Sequence, residues 1–393
     1  MDKKLTILQV HNFYRIPGGE DTVVENERQL LEKGGHRVIP YFRDNKELAD
    51  FSLFRKLLLP LTTVFNPETY RQVRGLIRRE HIDIVHVHNT LNLVSPAVYY
   101  AAAAEGVPVV QTVHNFRLLC PGATFYRDGH ICEDCVTKGL GCAVKHRCYR
   151  DSRLQTLACA ASTKFHRMTG IYGKLSYICL TDFNREKLLS LPQIRPERVF
   201  VKPNFTQTAE AAIVPAEARE NRFVFAGRLD RLKGIEVLLE AWKQMGAEAP
   251  ELLLCGTGPM EDWCRSFLAE NSLTKIRMPG FVDNRQLRQL IGASKGLILP
   301  TQWYEGFPMS IVEALSVGTP VICSDLGNVG SIVTEGVSGR KFRADSPEDL
   351  IRAVRACTGL CQSTYETYLS EYTAEKNYSR LLEIYGRVLE ANT

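Results

Sequence analysis

The stretch KGLILPTQWYEGFPMSIVEALSV, residues 295–317, joins two apolar segments through a loop that contains Gly306 and Pro308. The first segment, KGLILP, is short and apolar, which is typical of a buried β-strand. In residues 308–317 the apolar side chains recur at helical spacing, and proline is favoured in the first turn of a helix. The stretch therefore predicts a strand, a tight turn and a helix, in that order.

The same alternation of strands and helices recurs along the chain. Before residue 206 we predict strands at 5–10, 36–42, 82–87, 107–113, 176–180 and 198–203, and helices at 20–34, 66–80 and 95–105. After it we predict strands at 222–227, 251–256, 295–300 and 320–325, and helices at 234–245, 259–271 and 308–317. Strands that alternate with helices form parallel sheets, so the fold class is α/β with two doubly wound domains.

The length of 393 residues exceeds what one hydrophobic core usually supports. Residues 207–221 are rich in Pro, Ala and Glu without periodicity and are predicted to be a linker. We therefore expect a first domain at 1–205, with a Cys-rich insertion at 117–153, and a second at 206–375. The final amphipathic helix, 376–393, is expected to pack back toward the first domain.

Charge and hydropathy limit the location and the partners of the protein. No run of eighteen apolar residues is present, and the N-terminus turns polar at Gln9, too early for a signal peptide, so we expect a cytoplasmic protein. Residues 1–200 hold 28 Lys+Arg and 20 Asp+Glu, a net +8, and the remainder carries −3. The basic half fits either an anionic partner, phosphate or membrane, or an ordinary solvated surface. No nucleic-acid recognition motif is found, and no such partner is expected.

Three predicted strands of the first domain end in the dipeptide His-Asn: His11-Asn12, His88-Asn89 and His114-Asn115. In an open parallel sheet, ligands bind at the carboxyl ends of the strands. The three pairs are expected to line one edge of the sheet, although asparagine is also a common strand terminator.

The second domain contains two segments suited to phosphate. Gly227 allows a tight turn after a strand, and Arg228 and Lys233 bracket that turn, where both can bind a diphosphate. In the opening stretch, the amides of residues 307–310 are expected to be free at the start of a helix, which suits an anion. Glu305 and Glu313 flank them, and carboxylates accept hydrogen bonds from vicinal hydroxyls of a sugar or a ribose. A helix-dipole role for Glu305 and a surface position for Glu313 are the alternatives.

Taken in order, these segments resemble the retaining, nucleotide-sugar-dependent glycosyltransferases of the group 1, glycogen-synthase-like type (family 4). The resemblance rests on Glu305 and Glu313, on Gly227-Arg228 with Lys233, on the segment CGTGP (255–259), and on Ser324-Asp325 with EGVSGRKF (335–342). It implies the GT-B fold, in which two Rossmann-like domains face each other and a C-terminal helix crosses back. It also implies a nucleotide sugar as donor and a glycan or lipid-linked acceptor.

The resemblance assigns roles to individual residues. Those near the reaction are His114, Arg228, Lys233 and Glu305, with Arg228 and Lys233 on the diphosphate and Glu305 on the transferred sugar. The donor-binding residues are Gly227, Gly256, Gly258, Phe281, Val282, Gly306, Phe307, Pro308, Met309, Ser310 and Glu313. Gly18, Gly19 and His11 are expected on the acceptor side, where Glu20 stands at a position in which the family more often has a small residue.

The implied reaction is transfer of a sugar to a hydroxyl with retention of configuration, by front-face attack. The sequence has no Asp-x-Asp motif to hold a catalytic metal, so no cofactor is expected for catalysis. A bacterial cell-surface polysaccharide pathway is the expected setting. Two other functions stay open at this point: an isomerase or hydrolase of nucleotide sugars, and a non-catalytic binding module of a polysaccharide-assembly complex.

Cysteines concentrate between Cys120 and Cys148, where Cys132 and Cys135 form a CxxC pair. With thiols kept reduced in a chain that has no export signal, Cys120, Cys132, Cys135 and Cys148 are candidate ligands of a structural zinc ion. The alternative is that these thiols simply pack in an insertion.

The segment FSLFRKLLLPL, residues 51–61, is apolar with two basic residues, Arg55 and Lys56. It fits peripheral contact with the anionic inner face of a membrane, where lipid-linked acceptors are found. A core helix beneath the first sheet is the alternative.

Overall fold

The computed structural model describes residues 3–15, 18–207 and 213–392. The chain forms two compact units. The first comprises residues 1–203 together with 377–393, and the second comprises residues 204–376. Part of the predicted linker, residues 208–212, lies outside the described residues.

The N-terminal unit contains a six-stranded sheet in which all neighbours are parallel. Its strands, and the two of a small hairpin, are β1 (Thr6–Phe13), β2 (Arg37–Asp44), β3 (Ile84–Val87), β4 (Val109–Val113), β5 (Tyr126–Arg127), β6 (His130–Ile131), β7 (Ser176–Cys179) and β8 (Val199–Val201). Its helices are α1 (Gly19–Lys33), α2 (Leu53–Val64), α3 (Pro67–Glu80), α4 (Ala97–Ala104), α5 (Asp134–Thr137), α6 (Gly141–Lys145), α7 (Arg153–Met168) and α8 (Asp182–Leu188). The order β2-β1-β3-β4-β7-β8 reverses direction between β1 and β3, where such folds bind ligands.

The second unit repeats this plan with a second parallel sheet of six strands. The strands are β9 (Glu220–Ala226), β10 (Glu251–Cys255), β11 (Ile276–Gly280), β12 (Ser294–Leu299), β13 (Val321–Ser324) and β14 (Gly339–Phe342). The helices are α9 (Ile235–Met245), α10 (Glu261–Glu270), α11 (Asn284–Gly292), α12 (Met309–Ser316), α13 (Gly327–Ile332), α14 (Pro347–Ala356) and α15 (Cys361–Glu371). The order β11-β10-β9-β12-β13-β14 is that of a dinucleotide-binding Rossmann sheet, with its reversal between β9 and β12.

The last helix, α16 (Ala374–Glu390), packs its apolar face on the N-terminal unit. Leu381, Ile384 and Tyr385 are buried there against residues of β1 and β3. The α/β prediction with two Rossmann-like domains is therefore confirmed.

Several elements were missed or misread in the sequence. Strands β11 and β14 were missed because charged or small residues interrupt their apolar pattern: the first reads IRMPG and the second GRKF. The core-helix alternative for residues 51–61 is wrong, because Leu53, Phe54, Leu57 and Leu61 of α2 are 67–81% exposed. None of the helices in the described ranges combines the length and apolarity that a membrane span requires.

Candidate functional site

In the second unit, the carboxyl ends of β9 and β12 carry the predicted phosphate and sugar residues. Strand β9 is followed by the segment from Gly227 to Gly234, and β12 by the loop that leads to α12. Asp230 caps a short turn by accepting from the amide of Leu232, which fixes the course of the first segment. Gly234 closes it with φ +73°, and a Cβ there would lie 1.7 Å from the Pro300 carbonyl oxygen. The two segments therefore touch through backbone, at the reversal point of the sheet.

Lys233 and Glu305 form an ion pair across these two segments. The Lys233 Nζ lies 2.6 Å from Glu305 Oε2, and the Glu305 side chain is only 7% exposed. The other carboxylate oxygen, Oε1, is buried and has no hydrogen-bond partner among the described residues. The side-chain amide of Asn328 donates to the backbone carbonyl of Glu305 and so holds the loop in place. A buried acceptor without a donor is costly, so this oxygen is suited to receive a hydroxyl from a ligand.

Arg228 is placed differently from Lys233. Its side chain is 61% exposed, and its Nε lies 3.6 Å from Asp230 Oδ2, too far for a strong hydrogen bond. A guanidinium so exposed is available to an anion at small cost in desolvation.

Helix α12 starts at Met309, with Pro308 in the preceding N-cap position. The amides of Met309 and Ser310 belong to its first turn and have no acceptor within the helix. Glu313 follows one turn later and is half-buried. Its burial raises the pKa of the carboxyl group, against the opposing effect of Arg288. Glu313 is therefore neither fully exposed, as the surface alternative predicts, nor fully buried.

The predicted donor glycines are required by close backbone approach. Gly256 follows β10, and a Cβ on it would lie 1.9 Å from the Gly227 carbonyl oxygen; one on Gly258 would lie 2.3 Å from that of Leu229. The Gly256 amide donates to the Gly280 carbonyl at 2.7 Å, and the Gly227 amide donates to the Cys255 carbonyl at 3.0 Å. Backbone hydrogen bonds therefore join the ends of β9, β10 and β11. Beyond β11, Phe281 is 80% exposed, and Val282 packs on the core. Gly306 and Phe307 lie in the half-buried loop before Pro308.

In the N-terminal unit, the predicted histidines His11, His88 and His114 meet in a buried cluster with His86, which the sequence did not single out. We call these four residues the histidine cluster. His88 Nδ1 lies 3.0 Å from His114 Nε2, and the His88 ring stacks on that of His86 with centroids 4.4 Å apart. His11 packs edge-on to His88 at 6.2 Å. Burial lowers the pKa of His88 to about 3, with a further contribution from His86, and it lowers the pKa of His114 well below its usual value. The His88 and His114 imidazoles are therefore neutral at physiological pH.

A buried ion pair that sequence reasoning missed supports this cluster. Glu27 Oε2 lies 3.0 Å from the Lys202 Nζ, and both side chains are 1% exposed. Glu27 Oε1 lies 3.0 Å from His86 Nδ1 and 3.3 Å from His88 Nε2, without aligned hydrogen bonds. Burial disfavours the Glu27 carboxylate, but Lys202 and His86 outweigh it, and its pKa lies well below the usual value. The only signal in the sequence was one acidic residue at an apolar position of α1.

The same glutamate and histidines form a group that resembles a metal site. Glu27, His86 and His88 place one ligand atom each within 4.8 Å of one another. However, the Lys202 ammonium already occupies the cationic position beside Glu27. His86 is engaged on both ring nitrogens, by Tyr385 at 2.7 Å and by Thr112 at 2.8 Å. We interpret the group as a charge-balanced support for His88 and His114.

A cavity in this unit opens beside the histidine cluster, with an empty volume of about 680 Å³ that includes space open to solvent. His88, His114, Asn115 and Arg117 are among the residues that line it. Gly18 and Gly19 lie exposed at the start of α1, where Gly18 is the N-cap.

His11 is held below the start of α1 by Asp21. Its Nε2 lies 2.8 Å from Asp21 Oδ1. Next to Asp21, burial raises the pKa of Glu20 to about 8, while the Tyr14 hydroxyl donates to Glu20 at 3.1 Å and opposes the shift. Glu20 is therefore mostly protonated at neutral pH, in a position where the resemblance leads one to expect a small residue.

The cysteines of the insertion are free thiols in one small lobe. Cys120 and Cys135 are buried and in contact, and that contact lowers the pKa of Cys120 to about 6. Cys132 and Cys148 are half-buried nearby. Among the described residues, however, no three cysteine sulfurs lie within 4.8 Å of one another.

Comparison with known proteins yields one family over most of the chain. A model described as glycosyl transferases group 1 matches residues 206–358, and one described as glycosyltransferase family 4 matches residues 17–210. The chain is 25% identical over 355 residues to a phosphatidyl-myo-inositol mannosyltransferase of Mycolicibacterium smegmatis, across 87% of this chain and 81% of that protein.

Two solved structures illustrate the match in fold. A glycosyltransferase from Rickettsia africae superposes with a TM-score of 0.71 at 17% identity, over 98% of this chain and 99% of that chain. HepE from Anabaena, solved in complex with UDP and glucose, superposes with a TM-score of 0.64 at 15% identity, over 96% of this chain and 98% of that chain. At these identities the structural matches establish the GT-B fold alone.

Proposed function

Because the chain belongs to the group 1 glycosyltransferases, we propose that it transfers a sugar from a nucleoside-diphosphate sugar to a hydroxyl of a lipid-linked or glycan acceptor, with retention of configuration. The observation that carries this proposal is the carboxylate of Glu305. One oxygen is paired with Lys233, and the other is buried without a donor among the described residues, at the reversal point of the second sheet. A sugar hydroxyl supplies the missing donor.

The groups around Glu305 suit the rest of a nucleotide sugar. Arg228 and Lys233 bind the diphosphate, the former as an exposed fork and the latter as a point charge already set in place by Glu305. The first-turn amides of α12 add neutral donors to the same phosphates. Glu313 accepts from the ribose hydroxyls, and the exposed ring of Phe281 offers a surface on which the base stacks, beside Val282.

The chemical step requires stabilisation of charge on the leaving diphosphate. Preorganised cations and amides aimed at that charge are the largest source of catalysis in such reactions. In our proposal the acceptor hydroxyl attacks the anomeric carbon on the face from which the diphosphate leaves. The bond from that carbon to the phosphate oxygen breaks, and the phosphate oxygen takes up the hydroxyl proton. His114 is neutral through burial, so in our proposal it hydrogen-bonds a sugar without adding a charge.

The acceptor side is proposed to include the cavity beside His114 and the start of α1. Gly18 and Gly19 leave backbone exposed there, and His11 lies buried below them, bonded to Asp21. The Mycolicibacterium relative carries the name of an enzyme that acts on a phosphatidylinositol, which supports a lipid-linked acceptor for this chain and a role in cell-surface polysaccharide or glycolipid synthesis.

We also propose that the protein works at the cytoplasmic face of an anionic membrane, to which α2 binds. Its exposed residues Leu53, Leu57 and Leu61 recur every fourth position, and Phe54 lies beside them. Helix α7 packs against α2 and exposes Leu154 and Met168 by 67% and 76%. Arg55, Lys56 and Arg153 are exposed on the same two helices. Apolar side chains with basic neighbours suit an anionic lipid surface.

Calorimetric titration with UDP, GDP and ADP tests the donor site. We expect one of the three to bind, and Glu313→Ala to lose most of that affinity because the ribose hydroxyls lose their acceptor. Glu236→Ala is the matched control, since Glu236 is exposed and pairs only with Arg231 in the described structure. Failure of all three to bind the folded protein would overturn the donor assignment.

Flotation with liposomes tests the membrane contact. Vesicles that contain phosphatidylglycerol should carry the protein, and neutral vesicles should carry less of it. Arg55→Glu with Lys56→Glu should weaken binding to the anionic vesicles, whereas Arg265→Glu, an exposed change on α10, should not. Equal flotation of the wild type and the α2 variant would refute the contact.

A further inference from the structure

The insertion between β4 and α7 is too small to be held by a hydrophobic core of its own. Its elements are strands of two residues and helices of four and five residues. Its apolar cluster contains Cys135, Leu140 and Ala143, with Ala160 from α7, and Cys142, Val144 and Cys148 pack against it. Lobes of this size usually need disulfides or a metal ion.

The loop after Cys120 turns back on that residue. The Ala123 amide donates to the Cys120 carbonyl at 2.8 Å, and the Ala123 carbonyl accepts from the Phe116 amide at 3.3 Å. Ala123 and Phe125 adopt positive φ angles of 67° and 50°, an unfavourable conformation for residues with a Cβ. Both are buried together with Cys120, so the loop holds the Cys120 side chain in the interior of the lobe.

The other three cysteines are tied to this same loop by backbone contacts. Cys132 donates its amide to the Phe125 carbonyl at 2.7 Å, and Cys135 follows three residues later in contact with Cys120. A Cβ added to Gly122 would lie 3.3 Å from Cys148 Cβ, so Cys148 packs directly on the loop. Two chain segments and a CxxC turn therefore bring the four cysteines to one loop.

We propose that Cys120, Cys132, Cys135 and Cys148 bind one structural zinc ion. Each thiol releases its proton to solvent on binding and coordinates the ion as a thiolate. Tetrahedral tetrathiolate coordination is common for structural zinc. Among the described residues, no three of these sulfurs lie within 4.8 Å of one another. In our proposal, Cys132 and Cys148 therefore turn their side chains inward when the ion binds.

The ion stabilises the wall of the cavity beside His114. The Arg117 guanidinium donates to the Pro121 carbonyl at 3.1 Å, directly after Cys120, and Arg117 lines that cavity. The zinc takes no part in the reaction; it holds the loop that positions Arg117.

Metal analysis of protein purified without a chelating tag, in zinc-supplemented medium, tests the proposal. We expect about one zinc per chain in the wild type, and less than about a tenth of an equivalent in Cys135→Ser. Cys142→Ser is the matched control, because Cys142 lies in the same lobe but outside the proposed set, and it should keep its zinc. Loss of zinc in Cys142→Ser and retention in Cys148→Ser would overturn the assignment of ligands.

Cobalt substitution covers the case in which the serine variants do not fold. Wild-type protein exchanged into Co²⁺ should show the intense visible absorption of tetrahedral cobalt with sulfur ligands. A wild-type protein with less than a tenth of an equivalent of metal and no cobalt spectrum would refute the site. In that case, mass spectrometry that shows a Cys120–Cys135 disulfide would identify a covalent crosslink instead, and four free thiols would indicate packing alone.

Discussion

The histidine cluster of the N-terminal unit and the Arg228–Lys233 segment of the second unit both lie at the carboxyl edge of a parallel sheet, but they treat charge in opposite ways. In the cluster, the Glu27 carboxylate and the Lys202 ammonium neutralise each other in the interior, and the His88 and His114 imidazoles are uncharged. In the second unit, Arg228 stays exposed, and Lys233 is paired on a carboxylate that keeps one oxygen unused.

This difference indicates which of the two sites is preorganised and which awaits a ligand. A buried pair with balanced charge is expensive to disturb and holds side chains in fixed positions. An exposed guanidinium gains much of its binding energy only when an anion arrives. We therefore expect mutations in the cluster to act mainly on stability, and mutations in the second site to act mainly on turnover.

Removal of Glu27 should produce the largest change. Glu27→Ala leaves the Lys202 ammonium buried without its carboxylate, and breaking a buried pair typically costs about 3–5 kcal/mol of unfolding free energy. Chemical denaturation measures this loss. Glu25→Ala is the control on the same helix: its ion pair with Arg28 is exposed and should contribute less than about 1 kcal/mol.

The double variant Glu27→Leu with Lys202→Met separates charge from packing. With both charges removed, most of the lost stability should return, because a buried pair can often be replaced by apolar residues at little cost. If the double variant were as unstable as Glu27→Ala, the effect would come from packing around α1, and the contrast with the second unit would lose its electrostatic basis.

Arg228→Ala should have the next largest effect, and it should appear in turnover. Loss of one charged donor to the leaving diphosphate is expected to lower kcat by about 10²–10³-fold, while the melting temperature stays unchanged because the side chain is exposed. Arg231→Ala is the control, since Arg231 lies three residues on, is 73% exposed and pairs with Glu236. Turnover of Arg228→Ala within a factor of about three of the wild type would contradict the phosphate role.

The sequence predicted the second site better than the first for a physical reason. Gly227, Arg228, Lys233, Glu305 and Glu313 follow two strands in short local segments, and the parallel sheet necessarily brings strand ends together. That contact depends on local turn chemistry, which the sequence displays. The burial of Glu305 and its bond to Lys233 depend on the packing of the loops and were not predicted.

The contacts that hold the histidine cluster in place could not be predicted from local sequence. Glu27 and Lys202 are 175 residues apart, and nothing near either residue indicates the other. His86 occupies an inner position of β3 in a segment that reads as apolar strand, and its partner Tyr385 is contributed by the last helix. Such contacts arise from the order of strands in the sheet and from the docking of α16, neither of which periodicity reveals.

Glu20 should give an effect on stability that appears only as the pH rises. Its folded pKa of about 8 lies above the unfolded value of about 4.3, so the unfolded chain releases a proton that the folded chain keeps. The stability that this group contributes is therefore lost as pH rises from about 4.3 to 8. Glu20→Gln stays neutral and should become more stable than the wild type toward pH 8, by about 3–4 kcal/mol relative to pH 5.

The histidines change stability in the opposite direction, which makes the comparison of variants necessary. The folded pKa of His88, about 3, lies below the unfolded value of about 6.5, so its contribution is lost as pH falls below 6.5. Wild type and Glu20→Gln share this loss, and the difference between them isolates Glu20. Glu25→Gln is the control. Arg28 lowers the pKa of Glu25, so Glu25 is ionised in both the folded and the unfolded chain above pH 5. The difference in unfolding free energy between Glu25→Gln and the wild type should therefore stay constant above pH 5. A constant difference for Glu20→Gln as well would show that Glu20 is ionised, and that the N-terminal unit does carry an uncompensated charge beside His11.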